Sequence, residues 1–104
     1  MQTLAVLADP NRRRIVEILA RGERSAGELG RHFKMTQPAL SQHLKVLRGA
    51  GLVEARADAQ RRIYKLRREA FQDLQQWLDG IARFWENELD ALERDLDRRR
   101  RRDE

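Results

Sequence analysis

The chain has 104 residues, 40% apolar and 38% charged, with no cysteine and a formal net charge of +5. That is one domain's worth of chain, too apolar for a disordered tail and too charged for a membrane protein. No uncharged apolar run approaches the ~20 residues that span a bilayer. The opening Met1-Gln2-Thr3-Leu4 lacks the basic region of a secretory signal. The missing cysteines exclude disulfides, thiolate metal sites and cysteine nucleophiles together. A soluble, cytoplasmic protein is expected.

The net charge is unevenly spread. Residues 1–69 hold 15 basic and 7 acidic side chains, residues 70–97 hold 2 and 8, and residues 98–104 hold 5 and 2. A basic body favours a polyanion such as nucleic acid, and the acidic stretch behind it suggests a second task.

In chain order, Leu4 and Leu7 suit a short amphipathic turn. Asp9-Pro10 reads as a helix start, an N-cap followed by a proline whose missing N–H costs nothing there. Ile15, Ile18 and Leu19 follow at helical spacing, and Gly22 closes the segment. Ser25-Ala26-Gly27-Glu28 fits a capping box, opening a short helix to about His32 with Ala26, Leu29 and Phe33 on one face. Thr36 is a second N-cap, with Pro38 tolerable in the first turn. Leu40, Leu44 and Leu47 then fall at i, i+4, i+7, so this helix buries one stripe and exposes the other. Gly49 and Gly51 end it.

From about 52 to 67 the period changes to that of a β-hairpin, turning at Asp58-Ala59-Gln60-Arg61 without a glycine. From about 70 to 97 one long helix is predicted. Its stripe of Leu74, Leu78, Ile81, Trp85, Leu89, Leu92 and Leu96, in steps of three and four, marks a helix–helix seam. Arg98–Arg102 reads as a frayed or disordered tail.

Two short helices joined by a tight turn form a helix-turn-helix, and a hairpin after the second makes it a winged helix. The fold class is therefore mainly α with a two-stranded wing and a long C-terminal dimerisation helix. One domain spans 1–97 and the tail 98–104. The major groove, ~12 Å wide, admits one α-helix. The helix from Thr36 would present Gln37, Pro38, Ser41, Gln42 and Lys45 outward. Gln pairs with adenine, Ser donates or accepts, and Lys reaches guanine or phosphate. Wing residues Arg56, Arg61 and Arg62 are placed to meet phosphates or a minor groove.

Leu7-Ala8-Asp9-Pro10-Asn11-Arg12-Arg13-Arg14-Ile15, Thr36-Gln37-Pro38-Ala39-Leu40-Ser41-Gln42-His43-Leu44-Lys45-Val46-Leu47, Gly51-Leu52-Val53 and Arg62-Ile63-Tyr64 together resemble the ArsR/SmtB winged-helix repressors. The likeness is close from residue 4 to about 68 and looser beyond. It implies a homodimeric transcription repressor on an imperfect inverted repeat, paired through the first and last helices. The expected interface is then Leu4, Leu7, Leu74, Leu78, Ile81, Trp85, Leu89 and Leu92. The expected DNA contacts are Thr36, Gln37, Pro38, Ser41, Gln42, His43, Lys45, Arg61 and Arg62.

The departures narrow the expectation. Metal sensors of the family carry Glu-Leu-Cys-x-Cys before the recognition helix, where this chain has Glu28-Leu29-Gly30-Arg31-His32. Other members bind zinc with Asp and His on the last helix, and residues 70–97 contain no His. No metal and no cofactor is expected, and the resemblance looks closer to the metal-independent, SdpR-like autorepressors than to the metal sensors. Lys34 stands where the family often has a turn glycine.

Competing readings of single features are blander. His32 and His43 serve structure or phosphate contact better than a shared metal. The acidic set Glu86, Glu88, Asp90, Glu93 and Asp95 reads as a solvated face rather than catalytic carboxylates. No nucleophile–base pair or phosphate-cradling glycine loop is present, so no enzyme is expected. Trp77, Phe84 and Trp85 suit a dimer core more than a small-molecule pocket. Arg12, Arg13 and Arg14 oppose the helix dipole and call for either an external phosphate or a carboxylate such as Glu17. A ligand-responsive sensor and a DNA-independent interaction adaptor remain alternatives to the repressor.

Overall fold

The computed structural model describes residues 2–103. The chain order is α1 (Gln2–Val6), α2 (Pro10–Ala20), β1 (Arg24–Ser25), α3 (Ala26–Gly30), α4 (Gln37–Gly49), β2 (Val53–Asp58), β3 (Arg61–Leu66) and α5 (Arg68–Asp103). It divides into two compact units, one through Phe71 and one from Gln72 onward.

The first unit is a winged helix-turn-helix around one small core. Ile15, Leu29, Leu47 and Leu52 are fully buried, joined by Ile18, Leu19, Leu40, Leu44, Val53, Ile63 and Tyr64. α2, α3 and α4 each start where the sequence places a cap. Asp9 Oδ1 accepts the N–H groups of Asn11 and Arg12 at 2.8 and 3.1 Å. Ser25 Oγ accepts the Glu28 N–H at 3.1 Å while Glu28 Oε1 accepts the Ser25 N–H at 3.2 Å, completing the capping box. Thr36 Oγ1 accepts the Ala39 N–H at 3.2 Å.

The end of α4 is set as firmly as its start. Gly51 takes φ +77°. The Leu52 N–H reaches the Leu47 carbonyl and the Gly51 N–H the Arg48 carbonyl, both at 3.0 Å. This is a Schellman closure, and its apolar partners Leu47 and Leu52 are both fully buried. The Arg67 N–H donates to the Leu52 carbonyl at 2.9 Å, tying the far end of the hairpin to its entry.

Four features depart from the sequence expectation. The wing strands form a three-stranded antiparallel sheet, order β1-β3-β2. Its extra strand, β1, pairs Arg24 with Tyr64 and Ser25 with Ile63. The wing turn has two central residues, and Ala59 takes φ +57° where glycine is the usual occupant. The turn between α3 and α4 is made without a left-handed residue, so Lys34 needs no glycine's freedom: among the described residues Ala59 is the only non-glycine with positive φ. Finally, the helix expected to stop near 97 runs on to Asp103. Arginine is a good helix former, its charge suits the negative end of the dipole, and Arg99 reaches back to Asp95 at 3.3 Å.

The second unit is the rest of α5. Trp77, Leu78, Ile81, Phe84, Trp85, Leu89, Leu92 and Leu96 are all exposed, Phe84 and Trp85 to about 60%. Among the described residues no helix is long and apolar enough to cross a membrane.

Candidate nucleic-acid interface

α4 owes its orientation to its buried stripe. With Leu40, Leu44 and Leu47 in the core, the side chains about half a turn away face solvent: Gln37, Pro38, Ser41, Gln42 and Lys45 are exposed. The outward set is polar or small, and the long side chains Gln37, Gln42 and Lys45 project from successive turns. Thr36, also exposed, spends its oxygen on the helix N-cap, keeping its O–H as a donor. His43 is half-buried on the flank. The Asp9 carboxyl's pKa is lowered first by the Arg12 N–H, against a penalty from burial, then by the Asn11 N–H and, to a lesser extent, by the charge of His43.

An open groove of about 630 Å³ runs past the start of α3, the start of α4 and the wing tip. It brings together Gln37, Arg61 and Arg62, widely separated in sequence, and adds Arg31 and Gln60. Sequence reasoning missed these last two. Arg31 is the C-cap of α3, and its place as a basic residue just past the first helix of the helix-turn-helix is the signal that could have found it. At the other end of α4, Lys45 shares a second open cleft with Arg48 and Arg67, two further basic residues not singled out from sequence.

The wing arginines differ in how they are held. Arg62 is exposed at the tip. Arg61 lies 3.5 Å from Asp58 Oδ2 and 4.0 Å from Glu28 Oε1, so its guanidinium is shared between two carboxylates. Arg56, expected to face phosphate, instead grips Glu23 through two hydrogen bonds of 2.7 Å. That contact raises the Arg56 pKa and lowers that of Glu23. Lys65 and Glu54 pair at 3.1 Å on the neighbouring strands. Arg12 resolves otherwise than by phosphate: its Nε donates to the Val6 carbonyl at 2.7 Å, capping the end of α1. Arg14 lies 3.8 Å from Glu17.

Of the residues expected at a dimer seam, Leu4 is exposed and Leu7 is half-buried against the chain's own core. Leu74 is half-buried, and Leu78, Ile81, Trp85, Leu89 and Leu92 are exposed.

Residues 9–55, from the N-cap of α2 into β2, match the family described as bacterial regulatory protein, arsR family. The HTH-type transcriptional regulator Rv2034 of Mycobacterium tuberculosis is 47% identical over 83 residues, 80% of this chain and 75% of that one. The chain belongs to the arsR family of bacterial regulatory proteins. The transcriptional repressor SdpR of Bacillus subtilis is 30% identical over 80% of this chain and 92% of its own length. A crystal structure described as a possible transcriptional regulator for arsenical resistance superposes with a TM-score of 0.71 at 40% identity, covering 78% of this chain and 84% of that one. The fold is the winged helix of arsR-family transcriptional regulators, and these relatives are regulators rather than enzymes.

Proposed function

We propose that this arsR-family regulator is a homodimeric repressor that occupies an inverted-repeat operator and excludes polymerase from an overlapping promoter. The observation that carries the reading is the two-faced α4: Leu40, Leu44 and Leu47 buried, and the polar Gln37, Ser41, Gln42 and Lys45 outward beside the small Pro38. A helix so held offers a side-chain surface of the right width and chemistry for a major groove. Gln37, Ser41 and Gln42 read bases. Thr36, Lys45 and Arg62 hold phosphates, and Arg61 joins them once it leaves Asp58 and Glu28.

The pairing surface is the apolar stripe of α5. Eight large apolar side chains exposed along one helix exceed what a monomer ordinarily leaves in water, and the steps of three and four through Leu78, Ile81, Trp85, Leu89, Leu92 and Leu96 suit packing against a second helix. Dimerisation sets two copies of α4 about one duplex turn, ~34 Å, apart. Repression is metal-independent in this reading, since Gly30 and His32 stand where the family's sensors carry thiolate ligands.

The test is a gel-shift titration against promoter fragments and random duplex over a range of salt, with and without chelator. The reading predicts sequence-preferential, salt-sensitive, chelator-insensitive binding by a dimer. Equal affinity for all duplexes, or loss of binding on chelation, contradicts it.

A further inference from the structure

Away from the groove beneath the wing, the turn after α3 carries His32 to a small cleft of about 90 Å³. α2 supplies Arg14, and its C-cap Arg21 follows seven residues later, still in helical backbone geometry and so on the same face. β1 supplies Arg24, and Glu17 and Ile18 complete the walls. Glu17 is the one carboxylate among these lining residues, and it sits 3.8 Å from Arg14 with both side chains more than half exposed. The cleft is therefore lined by three arginines and a histidine against one carboxylate, with Glu28 near enough to Arg24 to feel its charge.

Arg24 is aimed by the backbone. Its Nη1 donates to the Glu23 carbonyl at 2.8 Å, one of five guanidinium donors. Gly22 takes φ +148°, and a Cβ there would lie 3.1 Å from that same nitrogen. The glycine both makes the turn and leaves the guanidinium its place.

We infer that this cleft binds a phosphate-type oxyanion. Its charge calls for a multiply charged anion, and planar guanidiniums from separate elements suit the oxygens of a tetrahedral group. Its size excludes drug-sized ligands, whose pockets start near 300 Å³; it is about three times a water's ~30 Å³ share of liquid. The anion bridges α2, β1 and the α3–α4 turn, so occupancy stiffens the turn that sets α4 against the core. The same chemistry has two sources, a free phosphate in solution or a backbone phosphate of bound DNA; only the second rests on the function proposed above.

The experiment has one arm for each source. Inorganic phosphate is titrated into ¹⁵N-labelled protein against chloride at matched ionic strength, for the wild type, the double variant Arg21→Gln/Arg24→Gln and the charge-loss control Arg94→Gln on α5. In parallel, the salt dependence of duplex binding is measured for all three. For a free phosphate, saturable shifts appear at residues 21–24 and 31–33 in the wild type and control, and the double variant binds at least tenfold more weakly. For a DNA phosphate, the double variant's salt slope falls by about 1 or more and the control's does not. Absence of both effects, or equal losses in the control, overturns the inference. Should the wild type bind no DNA at all, the proposed function fails while the phosphate titration still decides this site.

Discussion

Truncation of Leu47 separates the two faces of α4. Leu47 is fully buried and packs into the core beside Leu40, Leu44 and Leu52. Leu47→Ala removes three carbons, worth about 2.4 kcal/mol at ~0.8 kcal/mol per buried CH₂. The cavity left adds about 1–2 kcal/mol, since collapse around a fully enclosed site is partial. The expected loss is about 3.4–4.4 kcal/mol, a large share of the 5–15 kcal/mol that holds a domain of this size. Gln42→Ala, one helical face away and exposed, is expected to change stability by less than about 0.5 kcal/mol. Urea denaturation followed by circular dichroism measures both. A stable Leu47→Ala protein, or a Gln42→Ala protein as damaged as Leu47→Ala, would refute the assignment of buried and outward faces.

Gln42→Ala should instead relax sequence preference, by roughly 1–3 kcal/mol for a bidentate pair of hydrogen bonds to a base, as read by competition between operator and random duplex. Arg62→Ala should weaken every duplex alike and reduce the salt slope by ~1; a change in preference without a change in slope contradicts a phosphate role. Trp85→Glu places a charge in the middle of the α5 stripe and should give monomers in sedimentation at concentrations where the wild type is dimeric. Ala59→Gly should stabilise the wing by about 0.5–1 kcal/mol: relief of a left-handed alanine, ~1–2 kcal/mol, outweighs the added chain entropy, ~0.4–1 kcal/mol. Thermal melts read it, and a lower melting temperature counts against the strain.

Stability should also fall in acid, in a direction the caps dictate. Hydrogen bonds from the Arg12 and Asn11 N–H groups hold the Asp9 pKa below its ordinary 3.8, and those from Ser25 hold Glu28 below its ordinary 4.5. Each carboxylate binds its proton more weakly folded than unfolded. Its contribution is therefore complete above the ordinary value and is lost as the pH drops through the lower folded value. Asp9→Asn should flatten the acid limb of a stability–pH curve, and an unchanged limb argues against the cap.

Much of the fold is legible in the sequence because it is local. Asp9, Ser25 and Thr36 announce helix starts through groups two or three residues away. Leu40, Leu44 and Leu47 announce a buried face by spacing alone. What stays hidden depends on contacts between distant positions. β1 is two residues long and exists through its pairing with Tyr64 and Ile63. Arg56 resembles a phosphate ligand in sequence because Glu23, its partner, lies 33 residues away. Arg61 does the same, although Glu28 faces it across the groove. Arg31 and Gln60 join Gln37 only once the hairpin folds back over α3. The run Arg98–Arg102 reads as a tail by charge repulsion, yet helix propensity and the dipole extend α5 through it.

The most direct measurement on the central claim is methylation interference on a duplex selected from the host's genome by the wild-type protein. If α4 enters the major groove twice per dimer, methylated guanine N7 atoms should block binding in two clusters centred about 10–10.5 base pairs, or a whole multiple of that, apart. Gln42→Ala should weaken the interference at both clusters. Binding indifferent to major-groove methylation, or a single cluster without a symmetric mate, would contradict it.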